Sequence, residues 1–302
     1  MRDSSNTNAA GRRSIDLADG AMSCIEWPKP GGPTVLFAHA NGFNAETYCA
    51  LLQPLGDSFH ILAFDLRGHG FSTLPATADL ATGWTIFRDD LVGAIEQIAG
   101  PVILAGHSLG AVASLMAASQ FRQRVHALLL IEPVLIPPLR EGDTAGAGDL
   151  ARRAERRRNE FPSFDAAFDA YRGRGIFASW PDKVVADYLR GGLVGRGDGL
   201  LRLACAPEWE AAIFRGAPHD MAPLVANIAC PITILVGARS SSTSAQQLGV
   251  IQRLRPDARV VTVDGASHFL PMEQPEIVRK ELLRLAFLPR RAERDGGGGP
   301  RA

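Results

Sequence analysis

The stretch PVILAGHSLG (101–110) decides the fold of this chain. Its first half is a continuous apolar run, which is typical of a strand buried on both faces of a parallel sheet. Its second half has the pattern G-x-S-x-G, and the segment behind it repeats apolar residues at a helical spacing. The pattern alone is weak, because Gly and Ser are common. A strand, a sharp turn and a helix in this order are what an exposed serine nucleophile requires, so we predict that Ser108 is a nucleophile.

The chemistry of such a turn accounts for the residues around Ser108. We expect Gly106 and Gly110 to lie where neighbouring segments of backbone come too close for side chains. The serine hydroxyl then lies at the N-terminus of a helix, where N–H groups and the helix dipole favour developing negative charge. The alternative is a serine that only caps the helix. The strand that precedes the turn favours the nucleophile.

Five other apolar runs resemble the first one: TVLFAH (34–39), HILAFD (60–65), VHALLLIE (125–132), ITILVGA (232–238) and RVVTVDG (259–265). Helical patterns alternate with these runs. One begins behind Asn44, which is a favourable N-cap, another begins at Phe87, and a third covers 275–285. The alternation predicts an α/β fold with a doubly wound, mostly parallel sheet, whose core comprises residues 14–136 and 224–289.

One long segment interrupts this alternation. Residues 137–223 are rich in aromatic side chains and contain helical and Gly-interrupted sequence, but no strand-like run. An insertion of this length between two core strands is usually functional. We therefore expect a helical cap, inserted after the strand that ends at Glu132. The basic run ARRAERRR (151–158) is interpreted as a solvated helix face and not as a nucleic-acid site, because Glu155 interrupts it.

The composition restricts the classes of function. The 302 residues carry 32 basic and 32 acidic side chains, and this zero net charge argues against nucleic-acid or membrane partners. The four cysteines lack metal-binding spacing, and no apolar run is long enough for a membrane helix. Residues 1–13 and 290–302 have no apolar periodicity, so both are expected to be disordered, and the first lacks the apolar segment of a secretory signal. We expect a cytoplasmic protein that needs no metal and no organic cofactor.

The base that activates a serine is expected in a loop at the carboxyl edge of the sheet, where open α/β sheets gather their sites. The segment GASHFLPMEQPE (265–276) follows the last predicted strand and contains His268. His39, His69 and His107 are expected near the same edge, but each belongs to a motif with another explanation. We therefore predict that His268 is the base. The alternative is a loop histidine that only faces solvent.

These motifs together resemble the α/β-hydrolase superfamily over about residues 14–288. FDLRGHGFS (64–72) looks like the family's D-x-R-G-x-G-x-S loop, and HANGF (39–43) is similar to its H-G-x-P oxyanion loop. The motifs GHSLG and GASHF complete the set in the family's order. The resemblance also implies a cap domain like those of esterases and haloalkane dehalogenases.

The resemblance further implies an oxyanion hole. The backbone N–H groups of Asn41 and Leu109 fall where the family places its two donors. The oxyanion loop departs from the family pattern, because Ala40 replaces the usual glycine and Gly42 replaces the usual proline. We expect Ala40 to shift the geometry of the loop slightly.

The triad acid is where the chain departs most from the family. Relatives carry this acid after the strand that corresponds to ITILVGA, where this chain has RSSS (239–242) and no carboxylate. Some capped members take the acid from the preceding strand, whose tip here is Glu132. We therefore predict that Glu132 orients His268, with Asp264 as the second candidate. The alternative for Glu132 is a structural carboxylate paired with Arg239.

These residues predict a serine hydrolase that forms an acyl-enzyme on Ser108. A serine at position 108 argues against dehalogenase and epoxide-hydrolase chemistry, because those relatives form an ester on an aspartate nucleophile. The aromatic-rich cap favours a small or medium, mostly apolar ester, lactone, amide or thioester as the small-molecule substrate. A carbon–carbon bond hydrolase or an acyltransferase would share the same triad. A non-catalytic small-molecule receptor is a further alternative, favoured only by the missing carboxylate after ITILVGA.

Overall fold

A computed structural model describes residues 10–134, 145–216, 221–239 and 241–288 of the chain. An eight-stranded sheet and a separate three-stranded sheet contain all of the strands in these residues. The strands are β1 (Gly11–Leu17), β2 (Gly20–Trp27), β3 (Thr34–Ala38), β4 (His60–Phe64), β5 (Val102–His107), β6 (Val125–Ile131), β7 (Glu160–Phe161), β8 (Leu193–Gly195), β9 (Leu201–Leu203), β10 (Ile232–Gly237) and β11 (Arg259–Val263).

The large sheet has the strand order β1-β2-β4-β3-β5-β6-β10-β11. The six strands from β4 to β11 in this order are parallel to one another, whereas β2 pairs antiparallel with β4 on one side and with β1 at the sheet edge on the other. Each of the six apolar runs in the sequence forms one of the parallel strands. The prediction of a doubly wound, mostly parallel α/β sheet is therefore confirmed.

Helices cover both faces of the large sheet. The α-helices are α1 (Cys49–Leu52), α2 (Thr85–Glu96), α3 (Leu109–Gln120), α4 (Ala145–Glu155), α5 (Phe164–Tyr171), α6 (Asp182–Gly192), α7 (Pro207–Arg215), α8 (Ala222–Asn227), α9 (Ala245–Leu254), α10 (Leu270–Glu273) and α11 (Pro275–Ala286). In β5, Val102 and Leu104 pack with α2, α3, α8 and α9, while Ile103 and Ala105 point to the other face, with α1 and α11. Within the described ranges, none of these helices has the length and apolar character needed to cross a bilayer.

The predicted helix behind Asn44 forms in short pieces. The Asn44 side chain accepts a hydrogen bond from the backbone N–H of Thr47 at 3.1 Å, as expected of an N-cap. A 3₁₀ turn (Ala45–Tyr48) then leads into α1, and a second 3₁₀ turn (Gln53–Leu55) ends the segment. Pro54 lies within the second turn and has no N–H to continue a helical ladder.

The predicted boundary of N-terminal disorder at residue 13 is wrong. β1 begins at Gly11, and residues 11–13 pair with Glu26, Ile25 and Cys24 of β2. No apolar pattern in the sequence indicates this strand, because it lies at the sheet edge and only Ile15 of its residues is buried. Its backbone hydrogen bonds do not require apolar side chains. Residues 1–9 and the predicted tail 290–302 lie outside the described residues.

The chain leaves the large sheet after β6 and returns to it at β10. The described part of the intervening segment, residues 145–216, contains α4 to α7 and the small sheet β7-β9-β8. The sequence did not predict this small sheet, because strands of two or three residues are too short to show a period. The segment lies against loops at the carboxyl edge of the large sheet. Trp209 donates a hydrogen bond to the Arg67 carbonyl at 3.0 Å, and Asn44 donates one to the Tyr188 carbonyl at 2.9 Å.

Two glycines allow β5 and α3 to approach their neighbours. A Cβ atom on Gly106 would lie 2.3 Å from the carbonyl oxygen of Gly110. A Cβ atom on Gly110 would lie 2.2 Å from the carbonyl oxygen of Ala38. Both distances are far below van der Waals contact, and both obstacles are backbone atoms that cannot rotate away. The prediction that Gly106 and Gly110 lie where neighbouring backbone comes too close for side chains is therefore confirmed.

We expect Gly110→Ala to destabilise the protein by about 2–3 kcal/mol, because the added methyl group overpacks a rigid site. Urea unfolding followed by circular dichroism measures this change in free energy. Gly249→Ala in α9 is the matched control, because its Cβ would meet nothing closer than an Arg253 side-chain nitrogen at 3.6 Å. The control should be neutral or gain up to about 1 kcal/mol from helix propensity. Equal stability of the two variants would contradict the packing argument.

Candidate active site

Ser108 occupies a sharp turn between β5 and α3. Its backbone has φ 54° and ψ −113°, a conformation that L residues rarely adopt. Its N–H donates to the carbonyl of Ile131 at 2.9 Å, and its own carbonyl accepts from Ala111 and Val112 at the start of α3. The parallel strand β6 and the first turn of the helix thus hold the strained residue from both sides.

The predicted oxyanion donors lie in two separate segments near this turn. Leu109 is the first residue of α3, and Asn41 lies in the loop behind β3. Across the described parts of the chain, neither of their backbone N–H groups donates a hydrogen bond. Gly42 has φ 75°, which proline cannot adopt, and its Cβ would lie 2.6 Å from a carboxylate oxygen of Glu210. The departure from the family pattern at this position therefore has a steric cause.

His268 and Glu132 are brought into contact. The Nδ1 atom of His268 lies 3.3 Å from Oε2 of Glu132, which is within hydrogen-bonding distance. Asp264 is exposed, and its backbone carbonyl accepts a hydrogen bond from the Gln274 side chain at 2.8 Å. Arg239 does not pair with Glu132 and instead donates to the carbonyl of Gly265. Of the two candidate acids, Glu132 is the one that contacts the histidine.

The Glu132 carboxylate is fully buried and accepts several further hydrogen bonds. Oε1 accepts from the backbone N–H of Gly237, and Oε2 accepts from the Ser241 hydroxyl at 2.8 Å and the Ser242 N–H at 2.9 Å. Burial raises the pKa of Glu132, but the hydrogen bonds from His268, Gly237 and Ser242 outweigh burial and hold it below its usual value. The carboxylate is thus kept ionised beside the imidazole.

Ser241 and Ser242 were not predicted as partners of Glu132. Both lie in the RSSS segment, which attracted notice only because it has no carboxylate. Three consecutive serines behind a buried strand can indicate hydrogen-bond donors at a site. The loop that carries the acid in relatives thus carries hydrogen-bond donors to the Glu132 carboxylate in this chain.

Ser108 and His268 border one pocket of about 430 Å³, between the carboxyl edge of the large sheet and the segment 145–216. No hydrogen bond joins the Ser108 hydroxyl to the His268 ring in the described structure, and such contacts often tighten only when substrate is bound. Several aromatic side chains contribute to the wall: Phe43, Tyr171, Phe177, Tyr188, Phe214 and Phe269.

The three other histidines near this edge are structural. His39, His69 and His107 are buried, and burial lowers the pKa of each, for His39 to about 4. The ring of His39 bonds the Ala40 carbonyl at 2.7 Å and accepts from the N–H of Leu66 at 2.8 Å. These rings are therefore neutral and hold loops in place. Only His268 borders the pocket among the four.

A chain of hydrogen bonds connects the oxyanion loop to the loop of His268. The N–H of Ala40 donates to the Tyr48 hydroxyl at 3.1 Å, and this hydroxyl donates to Nδ1 of His107 at 2.7 Å. Nε2 of His107 donates to the backbone carbonyl of His268 at 2.8 Å. Tyr48 and His107 thus position two segments of the site without lining the pocket, and no pattern in the sequence predicts this role.

Tyr48→Phe should destabilise the protein by about 1–3 kcal/mol, because it leaves the buried Ala40 N–H and His107 Nδ1 without partners. Urea unfolding measures the effect. Tyr171→Phe is the control, because the Tyr171 hydroxyl only accepts from Arg157 at 3.2 Å, and this arginine keeps two other partners. A smaller loss of stability for Tyr48→Phe than for Tyr171→Phe would show that the chain of hydrogen bonds contributes little.

The fold and this site define a class of protein. A mostly parallel sheet, a serine in a strained strand-to-helix turn and a histidine in the loop after the last strand are the features of an α/β hydrolase. The family model described as the alpha/beta hydrolase family matches residues 35–281. The chain belongs to this family and is a hydrolase. Within the described residues, no group of histidine, cysteine and acidic side chains is arranged to hold a metal ion.

Two curated relatives are similar over most of their length. The chain is 32% identical over 271 residues to a 2-(acetamidomethylene)succinate hydrolase of Mesorhizobium japonicum, covering 89% of this chain and 93% of the relative. It is 28% identical over 275 residues to an esterase of Mycobacterium tuberculosis, covering 86% of each. A crystal structure of E-2-(acetamidomethylene)succinate hydrolase superposes with a TM-score of 0.79 at 29% identity, covering 92% of this chain and 99% of that one.

Proposed function

We propose that the protein is a serine hydrolase that cleaves an acyl substrate through an acyl-enzyme on Ser108. The observation that carries this proposal is the position of His268. One side of its ring contacts the buried Glu132 carboxylate at 3.3 Å, and the residue also borders the pocket that Ser108 borders. A histidine between a carboxylate and a serine is the arrangement that nucleophilic acyl transfer requires.

The proposed mechanism follows from these roles. Nδ1–H of His268 donates to Glu132, so Nε2 is free to take the proton of the Ser108 hydroxyl as its oxygen attacks the acyl carbonyl. The N–H groups of Asn41 and Leu109 bind the oxyanion, each contributing about 3–4 kcal/mol in comparable sites. The imidazolium then protonates the leaving group. Water, deprotonated by His268, attacks the acyl-enzyme, releases the acid and restores Ser108.

The contact between Glu132 and His268 bears on the alternative of a non-catalytic receptor. The missing carboxylate behind β10 was the feature that favoured a receptor. Glu132 lies at the tip of the neighbouring strand β6 and meets the histidine from there. The contact supplies the carboxylate whose absence favoured a receptor, and together with the strained serine at the pocket it supports catalysis.

The segment 145–216 is proposed to act as a cap over the pocket. Its side chains contribute much of the pocket wall, including Leu150, Phe177 and Phe214. A wall of this kind suits a small or medium acyl compound with substantial apolar surface. The two similar relatives are named as an esterase and as the hydrolase of an acetamido compound, so esters and amides are the acyl classes to test first.

Ser108→Ala should abolish hydrolysis of 4-nitrophenyl butyrate and labelling by a fluorophosphonate probe, which reacts only with an activated serine. Absorbance at the nitrophenolate band and in-gel fluorescence measure the two effects. The fold should persist, because alanine is no larger than serine. Ser119→Ala, in the α3 helix that follows Ser108, is the control. The Ser119 hydroxyl donates to the Met116 carbonyl at 2.7 Å. Labelling of the Ser108→Ala protein would refute the assignment of the nucleophile.

Glu132→Gln should lower kcat for the same ester by about 10²–10⁴-fold, because glutamine keeps the size but loses the charge that stabilises the imidazolium. Steady-state kinetics measure the loss. Asp264→Asn removes the same charge from an exposed side chain and should leave kcat within about threefold. If the two substitutions have equal effects, or if Asp264→Asn is the more damaging, Glu132 is not the acid.

A further inference from the structure

The charges of the described side chains around the pocket do not sum to zero. Among the described residues, the lining includes four groups with a fixed charge, namely Arg153, Arg157, Arg174 and Glu210. Arg157 and Glu210 form an ion pair with each other, and Arg157 also donates to the hydroxyls of Tyr171 and Tyr188. The two charges of this pair neutralise each other, and the Arg157 guanidinium is already engaged by these hydrogen bonds. The remaining charge of the pocket comes from Arg153 and Arg174.

Arg153 and Arg174 have no partner among the residues that the structure describes. Both are exposed, and neither guanidinium forms an ion pair or a hydrogen bond within the described structure. Arginines one or two positions away along the chain behave differently, since Arg152 pairs with Asp149 and Arg172 lies 3.4 Å from Asp182. Of the three arginines that border the pocket, Arg153 and Arg174 are therefore the two that no described side chain engages.

The rim that carries these arginines is otherwise apolar. Leu150 and Ile176 border the same pocket and are 46% and 43% exposed, which is unusual for large aliphatic side chains. Leu150 precedes Arg153 by one turn of α4, and Ile176 follows Arg174 by two residues. Apolar surface beside unpaired guanidinium groups matches a ligand with a hydrocarbon part and an anionic end.

We propose that Arg153 and Arg174 form a carboxylate-binding subsite at the rim of the pocket. The substrate would then carry a free carboxylate, separated by a short hydrocarbon chain from the carbonyl that Ser108 attacks. The planar guanidinium group presents paired N–H donors that match the two oxygens of a carboxylate. The apolar wall accommodates the chain between the two ends. This inference rests on the proposed function and narrows its substrate class.

Two esters of equal chain length test the subsite. Mono-4-nitrophenyl adipate carries a terminal carboxylate, and 4-nitrophenyl hexanoate carries a methyl group in its place. We expect the protein to prefer the adipate ester in kcat/KM. The ratio of the two kcat/KM values should fall about tenfold (about 1.4 kcal/mol) in the Arg153→Ala/Arg174→Ala double variant. Arg152→Ala and Arg172→Ala are the controls and should leave the ratio unchanged.

A binding measurement separates this proposal from the proposed function. Calorimetric titration of the Ser108→Ala protein with adipate needs no turnover, and the affinity should fall about tenfold when Arg153 and Arg174 are also replaced by alanine. Arginine-dependent binding without hydrolysis of either ester would preserve the subsite and refute the serine hydrolase. If replacing the two arginines changes neither the adipate affinity nor the ratio of the two kcat/KM values, the subsite is refuted, whatever the activity of the protein.

Discussion

The buried carboxylate of Glu132 is the contact on which the rest of the site depends. A buried charge is costly unless every lone pair finds a donor. The donors come from Gly237 at the end of β10, from Ser241 and Ser242 in the loop behind it, and from His268 behind β11. One charge therefore fixes the relative positions of two strand ends and two loops. The carboxylate is ionised because these donors outweigh its burial.

A second set of contacts keeps the site rigid without adding charge. His39, His69 and His107 are neutral because they are buried, so each ring combines one donor with one acceptor and can bridge two backbone segments. Through Tyr48, His107 connects the oxyanion loop with the backbone of His268. The strained backbone of Ser108 persists because such surroundings leave it no other position. Ser108 and His268 are thus positioned by neighbours that do not line the pocket.

The large sheet and the inserted segment contribute different properties to the pocket. Residues at the carboxyl edge of the sheet include Ser108 and His268, the groups that we propose act on an acyl carbon. The segment 145–216 supplies the opposite wall, which combines aromatic surface with the arginines of α4 and of the turn behind α5. Chemistry and selectivity therefore lie on separate parts of the chain. Substitutions in the segment can change which substrate binds while the sheet edge keeps its geometry.

The sequence by itself determined the parallel strands, the turn at Ser108 and the loop of His268, because each is a local pattern of a few consecutive residues. It also singled out Glu132, although only through a resemblance to capped relatives. The edge strand β1 escaped notice because its backbone pairing is independent of side-chain pattern. Only the tertiary structure identified the donors Ser241 and Ser242, the bridge through Tyr48, and the arginines that lack partners. Ser241 and Ser242 meet Glu132 across 109 and 110 positions of sequence, and Tyr48 meets His107 across 59. Whether an arginine finds a partner depends in the same way on how the chain packs, and no local pattern records it.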